Sequence, residues 1–143
     1  MKIFIIKLLI LVSLLSGQII AQNPGDLDVS FGESGIVKSE IGQRSKIHTI
    51  ALQQDTKILA AGEYGPPNDT PRIVIARYHN NGQLDQNFGN LGVVVLPTLI
   101  NQFEKANSIL IQNNGKIIVG CIVTGLPGTT NGSVYIRLNP DGS

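Results

Sequence analysis

The sequence predicts an all-β chain made of two four-stranded antiparallel units, and three observations carry that prediction. A pattern of 57 to 60 residues occurs twice. Each copy consists of short apolar runs punctuated by Gly, Asn, Asp and Pro, with no amphipathic period long enough for a helix. Aromatic residues make up 5% of the 143 and Trp is absent, so the core must come from Ile, Val, Leu and Ala, a composition that suits strands.

Taken from the start, Lys2 and Lys7 precede an apolar run at 8–15, broken by Ser16-Gly17-Gln18 and followed by Ile19-Ile20-Ala21. This is the pattern of a secretory signal peptide over residues 1–21, cleaved after Ala21. The run falls short of the ~20 apolar residues that cross a bilayer, so no stable membrane span is expected and the product should be secreted, extracellular or at the cell surface. Cys121 is the single cysteine, which leaves no lipid acceptor at the cleavage point and no internal disulfide. Without Lys2 and Lys7, nine of the eleven basic side chains remain against ten acidic ones. With no basic cluster, nucleic acid and anionic membranes are poor partners.

The repeat opens at Gly25 with G-D-L-D-V-S-F-G-E-S-G-I-V and returns at Gly82 as G-Q-L-D-Q-N-F-G-N-L-G-V-V, seven identities in thirteen positions. Residues 50–62 recur at 109–121, an offset of 59, and residues 74–82 recur at 134–142, an offset of 60. The implied units are 22–81 and 82–141, with 142–143 beginning a third. Strands at 50–52 and 57–62 flank Gln53-Gln54-Asp55-Thr56 as a hairpin, and the second copy flanks Gln112-Asn113-Asn114-Gly115. Asn114-Gly115 suggests a type I′ turn, which Asp55-Thr56 would make less comfortably because Thr is β-branched. Residues 72–79 and 133–139 give a further strand each, and 35–39 and 92–96 the fourth of each unit. Residues 58–61 and 117–119 are apolar on both alternating faces, as in a sheet covered on both sides. Four-stranded sheets that cover one another are the blades of a β-propeller.

The motif G-x-L-D-x-x-F-G reads as the corner between blades. Leu27 and Phe31, like Leu84 and Phe88, are four apart, so one tight helical turn would place each pair on the same side, pointing inward. Asp28 and Asp85 can cap that turn, and Gly32 and Gly89 can leave it in a left-handed conformation. Gly25, Gly35, Gly82 and Gly92 complete the motif. Arg77 and Arg137 recur at equivalent strand positions and can face a ligand or a carboxylate, with a structural pair to the corner Asp preferred.

These stretches, together with I-A-R-Y-H-N-N-G-Q-L-D, resemble the delta-60 repeat, a tandem repeat of exported bacterial proteins. The resemblance runs from Gly25 to the end of the sequence. Thr56, where the repeat usually has Gly, and the loop Pro66-Pro67-Asn68-Asp69-Thr70-Pro71 depart from it. The resemblance implies β-propeller blades in secreted or surface proteins, often with a sorting or adhesion region, and brings no established activity or catalytic residues.

Other candidate residues have structural readings. Cys121 lies in an apolar strand and is expected to be a small buried hydrophobe. His48 and His79 lack metal spacing, and Asp26, Asp28 and Asp85 lack the terminal Glu of a calcium loop, so no metal or other cofactor is expected. Asn68-Asp69-Thr70 and Asn131-Gly132-Ser133 match the glycosylation pattern. The expected function is therefore a non-catalytic extracellular binding, scaffold or adhesion module whose partner is an extracellular protein or glycan. The alternative is part of a propeller enzyme acting on extracellular glycans or other small substrates, with its catalytic residues in other blades. Closed propellers take roughly four to eight blades, so these two are expected to be a fragment continued by further blades of the same polypeptide. Alone, they should leave an apolar face and strand edges that invite association.

Overall fold

The computed structural model describes residues 23–66, 70–97, 104–124 and 131–143. The predicted signal peptide and the Asn68-Asp69 part of one glycosylation pattern lie outside them. Among the described residues seven strands follow in order: β1 (Ser45–Leu52), β2 (Ile58–Tyr64), β3 (Arg72–Tyr78), β4 (Val93–Val95), β5 (Glu104–Ile111), β6 (Ile117–Thr124) and β7 (Asn131–Leu138). They form two antiparallel sheets, β1-β2-β3-β4 and β5-β6-β7, and the described residues contain no helix. No helix among them is long and apolar enough to cross a membrane. The all-β expectation holds.

The first three strands of each sheet are built alike. β1 pairs with β2 through Leu52↔Ile58, and β5 with β6 through Ile111↔Ile117, and both ladders slip by one residue at the same place, between Ile47 and Thr49 and between Ala106 and Ser108. A repeated bulge at equivalent positions is a built feature that sharpens the twist of the edge strand.

The fourth strand departs from expectation. Residues 35–39 form no strand; their surroundings make only the bridge Glu33↔Ile36. The segment expected to close the second sheet, β4, instead pairs with β3 through Val74↔Val95, Ile75↔Val94 and Ala76↔Val93. The connection explains it: the corner after β3 reverses the chain, and antiparallel pairing with β3 is the shortest route back. Sheet and repeat are thus offset, and the second sheet has three described strands rather than four.

The hairpin turns also differ from type I′. Gly115 has φ 78° and Thr56 φ 67°, whereas Asn114 and Asp55 are not in the positive region. Hydrogen bonds Thr56 N–H to Gln53 O at 3.0 Å and Gln53 N–H to Lys57 O at 2.8 Å, repeated by Gly115, Gln112 and Lys116, define a turn followed by one left-handed bulge residue. Only one residue per loop therefore needs positive φ.

The main core lies between the sheets. Leu59, Ala61, Ile73 and Ile75 of the first meet Ala106, Ile117, Val119 and Cys121 of the second, with Phe88, Leu96 and Leu138 closing the ends. Fully burying an aliphatic side chain contributes about 1.5–3 kcal/mol, so this seam dominates the contact between sheets.

Candidate functional site

Most of the recurring residues converge on the corners. Asp85 Oδ1 accepts the Asn87 N–H at 3.1 Å, and Asp28 Oδ1 accepts the Ser30 N–H at 2.9 Å and its hydroxyl at 2.6 Å. Phe88 N–H donates to Asp85 O and Gly92 N–H to Phe88 O, matched by Phe31 to Asp28 and Gly35 to Phe31. Each corner is therefore two successive turns rather than one helical turn. The expected common direction of the Leu and Phe side chains fails for that reason. Phe88 is fully buried in the seam, while Leu84 packs with Ala60, Ala76 and Tyr78 on the far face of the first sheet. In the first corner Phe31 is half-buried and Leu27 is 56% exposed.

Successive corners stack. Gly32 N–H donates to Asn81 O and Gly89 N–H to Asp141 O, each at 2.8 Å. Gly82 (φ 86°) and Gly142 (φ 90°) sit against the preceding corner so closely that a Cβ would lie 2.4 Å from Val37 Cγ2 and 2.8 Å from Val94 Cγ2. Gly25, at φ 97°, has no such neighbour within 4 Å.

Arg77 is the hub of the second corner. Its Nε donates to Asp85 Oδ2 at 2.8 Å, an Nη donates to the Pro140 carbonyl, and the guanidinium lies 4.5 Å over the Phe88 ring. The pair with the corner Asp is thus present, with Arg77 7% and Asp85 1% exposed. Lys57 Nζ adds a cation at 3.6 Å and His79 Nε2 stands at 3.7 Å. Burial by itself would raise the Asp85 carboxyl, but the Asn87 N–H, Arg77 and Lys57 outweigh it and hold it below the usual Asp range. Arg137 is exposed and has no ion-pair partner among the described residues.

Lys57 was not singled out from the sequence, although its recurrence as Lys116 was a readable signal. Lys57 also bonds Asp55 at 2.8 Å, and Lys116 bonds Asn139 Oδ1 at 2.8 Å. Cys121 is buried, and desolvation together with the Glu104 charge pushes its thiol up to about 11, so it is a packed hydrophobe. His48 Nε2 lies 3.2 Å from Glu63. No group of three or more His, Cys, Asp or Glu suited to a metal occurs among the described residues. Asp26 Oδ2 accepts the Asn23 N–H at 3.0 Å. Gly132 and Ser133 of the second glycosylation pattern belong to β7.

Concavities among the described residues include a polar one and an apolar one. A polar cleft joins the hairpin tips, lined by Gln53, Asp55, Lys57, Gln112 and Asp141. An apolar groove of about 260 Å³ runs along the outer face of β1–β3, between Ile47, Ile50, Ala60 and Tyr78 on one side and Val37 and Ile41 on the other.

Residues 53–88, from the first hairpin turn through β2, β3 and the second corner, match the model of a family described as a domain of unknown function (DUF5122) beta-propeller. Comparison with curated proteins and with solved structures finds no match. Together, the match over residues 53–88 and the two antiparallel sheets are consistent with a β-propeller fragment.

Proposed function

We propose that the chain is an exported, delta-60-like β-propeller segment serving as a non-catalytic extracellular binding or scaffold module. One observation carries this reading: the recurring residues of the second corner are spent on joining one sheet to the next. Arg77, Asp85 and Phe88 lock together beneath the stacked glycines, leaving recognition to the parts that differ between copies. The sequences between the second and third strands are such parts, Pro66-Pro67-Asn68-Asp69-Thr70-Pro71 in one copy and Gly125-Leu126-Pro127-Gly128-Thr129-Thr130 in the other. Loops carried on a rigid scaffold are the usual seat of binding, and an extracellular protein or glycan is the partner class.

The test is secretion of the whole sequence from a bacterial host, N-terminal sequencing of the released protein, and a screen of immobilised glycans and extracellular-matrix proteins. A mature start at Gln22 and binding that is lost when residues 66–71 are exchanged are the expected results. Retention of residues 1–21, or turnover of chromogenic glycosides by the purified chain, would overturn the reading.

A further inference from the structure

We propose that the outer face of the first sheet receives the second sheet of another copy of this chain, head to tail, and that residues 36–38 of the receiving copy complete that sheet as its fourth strand. The inference rests on repeat equivalence across an interface the molecule already makes.

Within the chain the two sheets meet through different faces. The first contributes Leu59, Ala61, Ile73 and Ile75; the second contributes Ala106, Ile117, Val119 and Cys121, with Ile109 and Ile111 packed alongside. At the repeat offsets, the second set corresponds to Ile47, Ile58, Ala60 and Gly62, with Ile50 and Leu52 alongside. These belong to the outer face, where Ile47, Ile50 and Leu52 are 59%, 69% and 70% exposed, whereas Ala106, the equivalent of Ile47, is fully buried and Ile109 and Ile111, the equivalents of Ile50 and Leu52, are partly buried in the seam. Conversely, Ile75, fully buried in the seam, corresponds to Tyr135, 77% exposed on the far side of the second sheet. Among the described residues, the outer face of the first sheet and the far face of the second thus each present one exposed half of the internal interface. A heterologous contact of this kind joins copies head to tail.

The missing strand and the missing ion pair fit the same docking. Residues 36–38 are equivalent to β4, Val93–Val95, and already leave their corner as β4 does: Glu33 N–H bonds Ile36 O at 2.8 Å, as Asn90 N–H bonds Val93 O at 2.8 Å. Val37 packs on the outer face of the first sheet as Val94 packs on the seam. Carrying over the β3–β4 register pairs Lys38, Val37 and Ile36 of one copy with Val134, Tyr135 and Ile136 of the next. The same superposition sets the exposed Asp28 of the receiving copy beside Arg137 of the other, repeating the Arg77–Asp85 pair. The covalent link through residues 79–84 has no counterpart between copies, so this association depends on concentration.

Sedimentation of the secreted chain over the micromolar range tests it, with Ile50→Arg spoiling the receiving face and Tyr135→Arg the donating face. Both substitutions are at exposed positions, and an unchanged circular dichroism spectrum verifies folding. Wild-type protein is expected to exceed the one-chain mass, each variant alone to fall to it, and an equimolar mixture of the two to recover twice that mass, since each retains the face the other lacks. A one-chain mass for wild type at every concentration overturns the proposal. That result includes the case in which further residues of the same polypeptide cover the face. Variants that still assemble, or a mixture that stays at one-chain mass, overturn it equally.

Discussion

Replacing Asp85 with Asn is the sharpest test of the corner. The side chain is 1% exposed and meets Arg77 Nε at 2.8 Å, with Lys57 at 3.6 Å. The amide keeps the shape and the oxygen facing Asn87 but removes the charge, leaving the Arg77 guanidinium buried without a counter-ion. Breaking a buried pair from one side costs about 3–5 kcal/mol, a large share of the ~5–15 kcal/mol that holds a domain together. At roughly 3–4 °C per kcal/mol for a chain of this size, the Tm should fall by about 10–20 °C at pH 7. Asp55→Asn is the comparison. Its carboxylate also bonds Lys57, at 2.8 Å, but its side chain is 54% exposed, and removing such a pair costs about 0–1 kcal/mol. The pH dependence separates charge from packing. Because the Asp85 carboxyl is held below its ordinary value when folded, its stabilisation is present above the unfolded pKa near ~3.9 and lost as pH falls through the folded one. Urea midpoints measured from pH 7 downward should therefore fall less steeply for Asp85→Asn than for wild type. Equal losses for the Asp85 and Asp55 variants, or parallel pH profiles for wild type and Asp85→Asn, would refute a charge-locked corner.

The hairpins give a pair of opposite signs: Thr56→Gly should stabilise by about 0.5–1 kcal/mol because a β-branched residue sits at φ 67°, and Gly115→Val should cost about 1–2 kcal/mol at φ 78°, both read from urea midpoints. Phe88→Ala empties a fully buried site in the seam and should cost about 3–5 kcal/mol, seen as a loss of cooperative melting. With its thiol pushed up to about 11, Cys121 should react with a disulfide reagent at pH 8 only as fast as the protein opens; a fast phase in native buffer would place the thiol at the surface.

The repeated pattern made the strands, the two hairpins and the corners legible, because each copy corroborates the other and Gly, Asn and Asp mark the reversals. Asp85 and Arg77 were readable as a pair for the same reason. What stayed hidden depends on three-dimensional adjacency. A spacing of four says that Leu84 and Phe88 share a side only if the turn is helical, and two successive turns instead send them to opposite faces of the first sheet. Asn114-Gly115 signals a type I′ turn, yet the loop closes with one left-handed residue because the bonds through Gln112 and Lys116 set a longer loop. Leu27 carries the same motif letter as Leu84 but is exposed, whereas Leu84 packs against Ala60, Ala76 and Tyr78; a shared letter does not fix what a side chain meets.

The fourth strand shows most plainly why pattern alone is not enough. Period-two apolarity marks residues 35–39 and 92–96 as strands of equal merit, and says nothing about which edge each will join. The edge is decided by the chain's path. β3 ends at the corner, the corner stacks its glycines on the next one, and the chain leaves antiparallel to β3. The first sheet is therefore completed by residues of the second repeat, and the corner becomes a strap across the seam between sheets. Phe88, whose ring lies against Arg77 on one side of that strap, then serves both the seam and the corner, which is why its loss should weaken strand β4 and the sheet contact together rather than either alone.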